Sequence, residues 1–377
     1  MIKRPKLRNL KQEELKILME FQENPFITFE ELAQKTKISK SVVFRTIKKF
    51  EDPSLKPAYL TIVAIPNLRA LNFENFEVFV EAEQTHQIKS IITLCEEHPY
   101  IWYYARCYGK INGFSIQYRT PKGTRHQIQE LLDILKTKNL IQNYYVLNFE
   151  ENVIYTHPQV KNWDMETLSW NFDWNEWFLK KIEKIPIQQQ QKNREKRLLT
   201  NLKQIDLLIL KELLRNSRRK NIEMIQCMKT NGWEISQQQF SKKANYLKEV
   251  FILDYRAEIH PETLDILTPV LLWGRGEQEE ILKLAVKIKQ FPIPFISTFK
   301  YNKTLVYWYL HLSTFQLAEL LLNLRPILSE IHFFFIDFPH SEKFSLETSN
   351  FNENQHDWIQ TDQFIIYDVL EKILKSR

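Results

Sequence analysis

Glycine is scarce in this chain, six residues in 377. A loop that wraps phosphate with backbone N–H groups needs closely spaced glycines, and neither G-x-G-x-x-G nor G-x-x-x-x-G-K-S/T occurs, which argues against nucleotide-binding folds. Cysteine is equally sparse. Cys95, Cys107 and Cys227 are too scattered for a disulfide framework or a zinc cluster, and no Cys-x-x-Cys pair exists, so a reducing compartment is expected. The basic start Met1-Ile2-Lys3-Arg4-Pro5-Lys6 is followed by no apolar stretch. No run of eighteen uncharged apolar residues appears anywhere, so neither a leader nor a membrane span is expected and the location reads as cytoplasmic. The nine histidines, His86, His98 and His260 among them, are dispersed. Without H-E-x-x-H, paired carboxylates or a nucleophile elbow, the residues predict no metal, no cofactor and no catalytic group.

What is present is apolar and aromatic residue, 44% and 13% of the chain, enough for two to four compact units. Charge is unevenly placed. Residues 1–50 hold twelve Lys/Arg against six Asp/Glu, residues 192–250 hold fourteen against six, and the remainder is net acidic although the whole chain carries +6. Two basic islands point to two surfaces facing a polyanion, with solvated helix faces as the plainer explanation.

The islands coincide with an internal repeat. Asn9-Leu10-Lys11-Gln12-x-x-Leu15-x-Ile17-Leu18 returns 192 residues later as Asn201-Leu202-Lys203-Gln204-x-x-Leu207-x-Ile209-Leu210. Leu15, Leu18 and Phe21 or Gln22 predict one helix, and Thr28 caps a second beginning at Phe29. A third starts at Ser39, with Ile38 stapled onto Val43 and Val43, Ile47 and Phe50 turned inward, and stops at Pro53. The second half repeats the construction with Ile235, Ser236, Phe240, Ala244 and Leu247. Extended stretches follow, Tyr59–Ile65 and Ile252–Ile259, closed by Pro66 and Pro261, and are expected to form a wing in each half.

Beyond them the pattern reads β-α-β-β-α-β. In the first half Phe76, Val78, Val80 and Ala82 alternate with Glu77, Phe79, Glu81 and Glu83 as a half-buried strand. A helix from His86 to about Glu97, strands at Tyr100–Cys107 and Gly113–Arg119, a helix at Arg125–Thr137 and a strand at Tyr144–Phe149 complete it. The equivalent in the second half runs from Pro269 to Phe338. The expected fold class is α+β: two winged helix-turn-helix domains (7–66 and 200–262), each followed by a ferredoxin-like sandwich (67–151 and 263–340). A Trp-rich extension (152–185), a polar linker (186–199) around Gln188–Arg197 and a carboxy-terminal aromatic extension (341–377) account for the rest.

A helix that enters the major groove needs small or polar residues in its first turns to reach base edges, with Lys or Arg beyond them for phosphate. In the first half that set is Ser39, Lys40, Ser41, Phe44, Arg45, Lys48 and Lys49, with Arg45 suited to guanine and Phe44 to a thymine methyl. In the second it is Gln237, Gln238, Ser241, Lys242 and Asn245, with Gln239 and Lys243 at the margins; Gln and Asn suit adenine edges. Because the sets differ, an asymmetric DNA site is expected. Trp163, Trp170, Trp174 and Trp177, four of the nine tryptophans within fifteen residues, read as packing or oligomer contacts in preference to a base-stacking platform, with Phe351–Leu374 as their counterpart.

These motifs together resemble the Lrp/AsnC family of archaeal and bacterial transcription regulators, in an archaeal type. The family's L-x-x-x-D-x-x-I-L helix is similar to Leu202–Leu210 with Asp206 in place, where the first half has Glu14. Its S-x-x-x-V-x-R-R-I-x-x-L-E helix is similar to Ser39–Glu51 and more loosely to Ser236–Glu249, and its wing to Val250–Pro261. The resemblance implies double-stranded DNA as partner, a RAM-like ferredoxin sandwich, and pairing through the sandwich sheets, here as a homo-oligomer or as an internal pseudo-dimer. The family's Gly-Asp turn near its amino-acid effector is replaced by Tyr108-Gly109-Lys110-Ile111-Asn112-Gly113 and by Tyr301-Asn302-Lys303-Thr304, so a small-molecule effector is left open without support from these residues.

Two rival classes remain. Siroheme decarboxylases resemble the same layout, but their pattern sets a histidine before a Tyr-Asn-Leu-Trp-Phe strand. The corresponding Cys107-Tyr108-Gly109-Lys110 and Phe299-Lys300-Tyr301-Asn302 have none, so the expectation is that the chain is not an enzyme. The other rival is a protein-assembly module whose helix-turn-helix no longer reads DNA, with the glutamine-rich second helix the one to have drifted.

Overall fold

The structure is a computed structural model that describes residues 10–52, 58–149, 152–183 except 165 and 168, 198–259 and 268–376. The basic amino-terminal residues, the stop at Pro53, the closure at Pro261 and the linker stretch Gln188–Arg197 lie outside the described residues.

In chain order the first half comprises α1 (Gln12–Glu23), α2 (Phe29–Thr36), α3 (Lys40–Phe50), β1 (Leu60–Pro66), β2 (Phe73–Glu81), α4 (Thr85–Glu97), β3 (Ile101–Gly109), β4 (Gly113–Pro121), α5 (Arg125–Thr137) and β5 (Asn143–Asn148). The segment after it holds β6 (Val153–Thr156), β7 (Trp163–Asp164), β8 (Ser169–Trp170) and α6 (Trp174–Leu179). The second half gives α7 (Gln204–Arg215), α8 (Asn221–Thr230), α9 (Gln237–Val250), β9 (Ile252–Ile259), β10 (Thr268–Gly276), α10 (Gln278–Gln290), β11 (Ser297–Tyr301), β12 (Leu305–Leu312), α11 (Thr314–Leu324) and β13 (Leu328–Ile336). The tail adds β14 (Glu342–Lys343), β15 (Phe351–Asn352), β16 (Asp357–Trp358) and α12 (Asp368–Lys375). The class is α+β, as expected. No helix among the described residues is long and apolar enough to cross a membrane.

The wings differ from expectation. Neither wing strand pairs within its own half among the described residues; β1 and β9 pair antiparallel with each other, Leu60 opposite Ile259 through Ile65 opposite Asp254. A lone strand exposes a row of unpaired N–H and C=O groups, and the strand of the other half satisfies them. Leu60, Ile62, Ala257 and Ile259 are buried beneath α1–α3, whereas Ala64 and Ile252 join the core of α7–α9.

The two sandwiches are also not separate. Strands β5-β2-β4-β3 and β13-β10-β12-β11 each have the ferredoxin-like order, and they join edge to edge where Cys107, Tyr108 and Gly109 of β3 pair with Ile336, Phe335 and Phe334 of β13. At that crossing a Cβ on Gly109 would lie 2.5 Å from the Phe333 carbonyl oxygen, so only glycine admits the approach. The halves of the joined sheet then face one another: Phe79 stacks on Phe334 at 5.1 Å and Phe149 lies 5.7 Å from Tyr307. Strand β2, expected to be half-buried, is therefore covered on both faces, with Phe76, Val78 and Val80 under α4 and α5 and Phe79 and Glu77 against the opposing sheet.

The extensions cross over. Segment 152–183 follows the first half but packs on the second: β6 pairs with β11, Trp174 lies 6.0 Å from Phe295, and the Trp177 indole donates to the Phe291 carbonyl at 2.7 Å. The tail follows the second half but packs on the first, where the Trp358 indole donates to the Leu71 carbonyl at 2.7 Å and α12 lies along α4. Two main cores result, each joining the helices of one half to the sandwich of the other.

Candidate nucleic-acid interface

Helix α3 presents the face its spacing implies. Val43, Ile47 and Phe50 are buried, and Ser39, Lys40, Ser41, Phe44, Arg45, Lys48 and Lys49 are exposed. Phe44 stays 46% exposed with its ring edge on Phe29 at 5.5 Å, so a large apolar group stands in the middle of a polar face. Two of the cations have partners: Lys40 pairs with Glu30 at 3.0 Å and Lys49 with Glu14 at 3.9 Å. Both are exposed lysines whose pairing is weak enough to exchange for phosphate.

Of the three expected caps, Thr28 and Ser236 form and Ser39 does not. Thr28 accepts from the Glu31 N–H at 3.2 Å, and Glu31 reaches back to the Thr28 N–H at 3.0 Å, which holds its carboxyl below the usual range. Ser39 stands at the start of α3 with extended backbone but makes no cap bond; its hydroxyl lies 3.3 Å from that of Ser41. The Ser236 hydroxyl does cap α9, accepting from the Gln239 N–H at 3.2 Å while the Gln239 side chain accepts from the Ser236 N–H at 3.3 Å.

On α9, Gln237, Gln238, Lys242 and Asn245 are exposed and carry the outward face. Three other residues singled out there are occupied. Gln239 completes the capping box, Ser241 accepts from Asn221 at 3.1 Å, and Lys243 donates to the buried Asp206 at 2.6 Å, tying α9 to the first turn of α7. Asp206 in turn accepts from the Lys203 N–H at 3.0 Å, as Glu14 does from Lys11 at 2.9 Å in the first half. The acid at the third helical position thus faces a lysine of α3 or α9 in both halves, closely at Asp206–Lys243 and loosely at Glu14–Lys49.

The two three-helix units are held together by Arg218, which sequence reasoning did not single out. Its guanidinium pairs with Glu51 at the end of α3 at 2.9 Å and lies over the Phe21 and Phe29 rings at 4.5 and 4.9 Å. The Ser217 N–H donates to the Ile62 carbonyl at 2.8 Å, and Asn67 N–H to the Phe251 carbonyl at 2.8 Å. Nothing local marks Arg218 among the basic residues of its island; its role depends on which rings the fold brings beneath it.

Below this layer a buried ion pair lies between the sheets. Lys300 of β11 donates to Glu77 of β2 and, at 3.1 Å, to Asn75. Burial pushes the Glu77 carboxyl up, against the pull of Lys300. Among the described residues no group of three or more His, Cys, Asp or Glu side chains is placed to hold a metal ion.

Residues 14–52 match a family described as winged helix-turn-helix DNA-binding. No curated protein sequence matches the chain. Among solved structures, the siroheme decarboxylase NirDL aligns over 97% of this chain and 99% of its own at 12% identity, with a TM-score of 0.53. Its complex with an iron-uroporphyrin III analogue gives 0.51 over 97% of this chain and 100% of its own, again at 12% identity. An AsnC family transcriptional regulator from Agrobacterium tumefaciens aligns over 39% of this chain and 94% of its own, at 18% identity and a TM-score of 0.32. At 12% identity the property shared with NirDL is the fold, and it extends over nearly the full length of both chains. The expectation that this chain is not an enzyme is overturned by that match, because an enzyme has this whole arrangement.

Proposed function

We propose that the chain is a sequence-specific, double-stranded DNA-binding transcription regulator that reads its site with α3 and α9, two unlike recognition helices arising by tandem duplication and held as a covalent pseudo-dimer. One observation carries the reading: within the segment that matches winged helix-turn-helix DNA-binding domains, α3 turns Lys40, Ser41, Arg45 and Lys48 to solvent on a buried scaffold. Arg45 has the fork geometry to take a guanine edge, Lys48 and Lys49 meet phosphate, and Ser39 and Ser41 approach the backbone at the helix start. Gln237, Gln238 and Asn245 favour adenine edges, with Lys242 on phosphate; Gln239, Ser241 and Lys243 keep α9 in place. The division of the chain into two such units with crossing extensions belongs to the same reading.

The test is binding to a fragment carrying the gene's own upstream region, followed at several salt concentrations. A steep loss of affinity with salt is expected from displaced counterions, and no binding at low salt would sink the proposal.

The full-length likeness to NirDL favours a second reading, decarboxylation of an anionic tetrapyrrole such as siroheme. Here the residues of the resemblance differ: the stretches 107–110 and 299–302 carry no histidine, and Lys300 is committed to Glu77. Mixing the protein with siroheme and recording the Soret band together with released CO2 separates the two; a shifted band with CO2 release establishes the second reading.

A further inference from the structure

The second sandwich leaves apolar surface uncovered beside the join of the two sheets. In β13, Phe333 and Phe335 stand opposite Leu272 and Val270 of β10, and residues directly opposite in an antiparallel pair project to the same face. Leu272 and Val270 belong to one core with Leu320 and Leu324 of α11, so the two phenylalanines share the helix side of the sheet. They are not covered there: Phe333 is 39% exposed and Phe335 46%, with their rings edge-on at 5.9 Å. Tyr108 of β3, opposite Phe335 across the join, is also 46% exposed. These rings make an apolar floor. Helix α11 passes into β13 through residues 325–327, so it lies beside that floor. One flank of α11 is taken by α6, where Asn323 donates to Asn175 at 2.9 Å and Gln316 to the Phe172 carbonyl at 3.1 Å. Leu317, Leu320 and Leu324 face the sheet, whereas Phe315 and Leu322 point away from it and are 71% and 67% exposed. Seven residues apart on one helix, the last two stand in line and form an apolar ridge.

Ridge and floor together expose roughly 500 Å² of aromatic and leucine surface, a size at which a patch on a soluble chain is often a binding surface. A standard interface buries about 800 Å² on each partner, a little over half of it apolar, which this patch with its polar rim matches. Charge does not oppose self-association. Glu330 of β13 is paired with Arg275 at 3.5 Å and His332 at 2.6 Å, and Asp337 just beyond the strand with His340 at 2.9 Å. A convex and a flat apolar element side by side suit a two-fold axis, since each copy then offers the ridge that the floor of the other receives. We propose that this face is the contact between two copies of the chain, with Phe315 and Leu322 of each copy seated on Phe333, Phe335 and Tyr108 of the other. No residue of α3 or α9 takes part, so the proposal stands apart from the DNA-binding reading.

Sedimentation velocity of the full chain without nucleic acid tests it, and between about 1 and about 100 µM the mass should rise from one chain to two. Phe335→Glu on the floor and Leu322→Lys on the ridge should each weaken association at least about tenfold. Ile222→Glu, at an exposed residue of α8 outside the patch, should not change it. Mixing the two patch variants should restore a dimer, because one ridge-on-floor contact is then unaltered and the other sets the introduced lysine against the introduced glutamate. A chain that stays single at about 100 µM overturns the proposal, as does association that neither patch variant weakens. It is equally overturned if the mixture stays single while each variant keeps the thermal unfolding of the unaltered chain. The rise in mass with concentration is read on the unaltered protein, so a variant that misfolds does not remove the test.

Discussion

Ser39 and Ser236 occupy the same place in two helices and do different work. Only Ser236 caps, so Ser236→Ala is expected to cost about 1 kcal/mol of stability and Ser39→Ala a few tenths, a contrast that denaturant titration resolves. Arg45 and Lys48 have no such structural duty. Replacing both by alanine should leave thermal stability within about 1 °C while removing about two units from the log–log salt slope of DNA binding; unchanged affinity would remove α3 from the interface. His98 bears on pH. It is 4% exposed, its Nδ1 accepts from the Tyr100 N–H at 3.1 Å, and burial lowers its pKa to about 3. The unfolded chain takes up this proton near pH 6.5 and the folded chain does not, so stability present above pH 6.5 is lost as pH falls toward 3. Each pH unit in that window costs about 1.4 kcal/mol from this residue. His157, lowered to about 4, acts in the same direction. Melting temperature measured from pH 7.5 to 5 should fall, and His98→Gln should flatten part of the decline.

Among the elements, the crossed extensions depend on a few aromatic side chains. Trp358 is 1% exposed, 4.4 Å from Phe73 and bonded to Leu71, so Trp358→Ala is expected to cost about 3–5 kcal/mol and to loosen the tail from the first sandwich. Limited proteolysis should then cut within 341–376 before any other described segment; protection of that tail would refute the packing role. The helices, most strands and the caps at Thr28 and Ser236 were legible in the sequence because each depends on neighbours within four residues. Pairing of β1 with β9 was not legible, because a strand's hydrogen-bond partner leaves no mark in its own pattern. The apolar alternation of β1 suits a hairpin and an inter-half ribbon equally.

At the scale of the molecule, the paired sheets, the β1–β9 ribbon and Arg218 fix α3 relative to α9. Arg218→Ala should keep each three-helix unit folded but weaken binding to a site that engages both, with little effect on a fragment holding only the α3 half-site; equal loss on both fragments would assign Arg218 a local role. The Glu77–Lys300 pair lies deeper. Removing either partner alone leaves a buried charge and should cost about 3–5 kcal/mol, whereas Glu77→Leu with Lys300→Met should recover most of it.

Scarce glycine, scattered cysteine, two basic islands and the repeated helix starts were determined by the sequence itself, since composition and local periodicity constrain what a short segment can bury or cap. The outward face of α3 belongs to the same class, because three inward positions on an 11-residue helix define the rest. What only the tertiary structure decided is partnership: the shared ribbon, the joined sheets, the exchange of extensions, and Arg218 over the rings of the other half. Each depends on residues far apart in the chain, and their meeting is set by the minimum of exposed apolar surface and unsatisfied backbone over the whole molecule, a condition that no local pattern encodes.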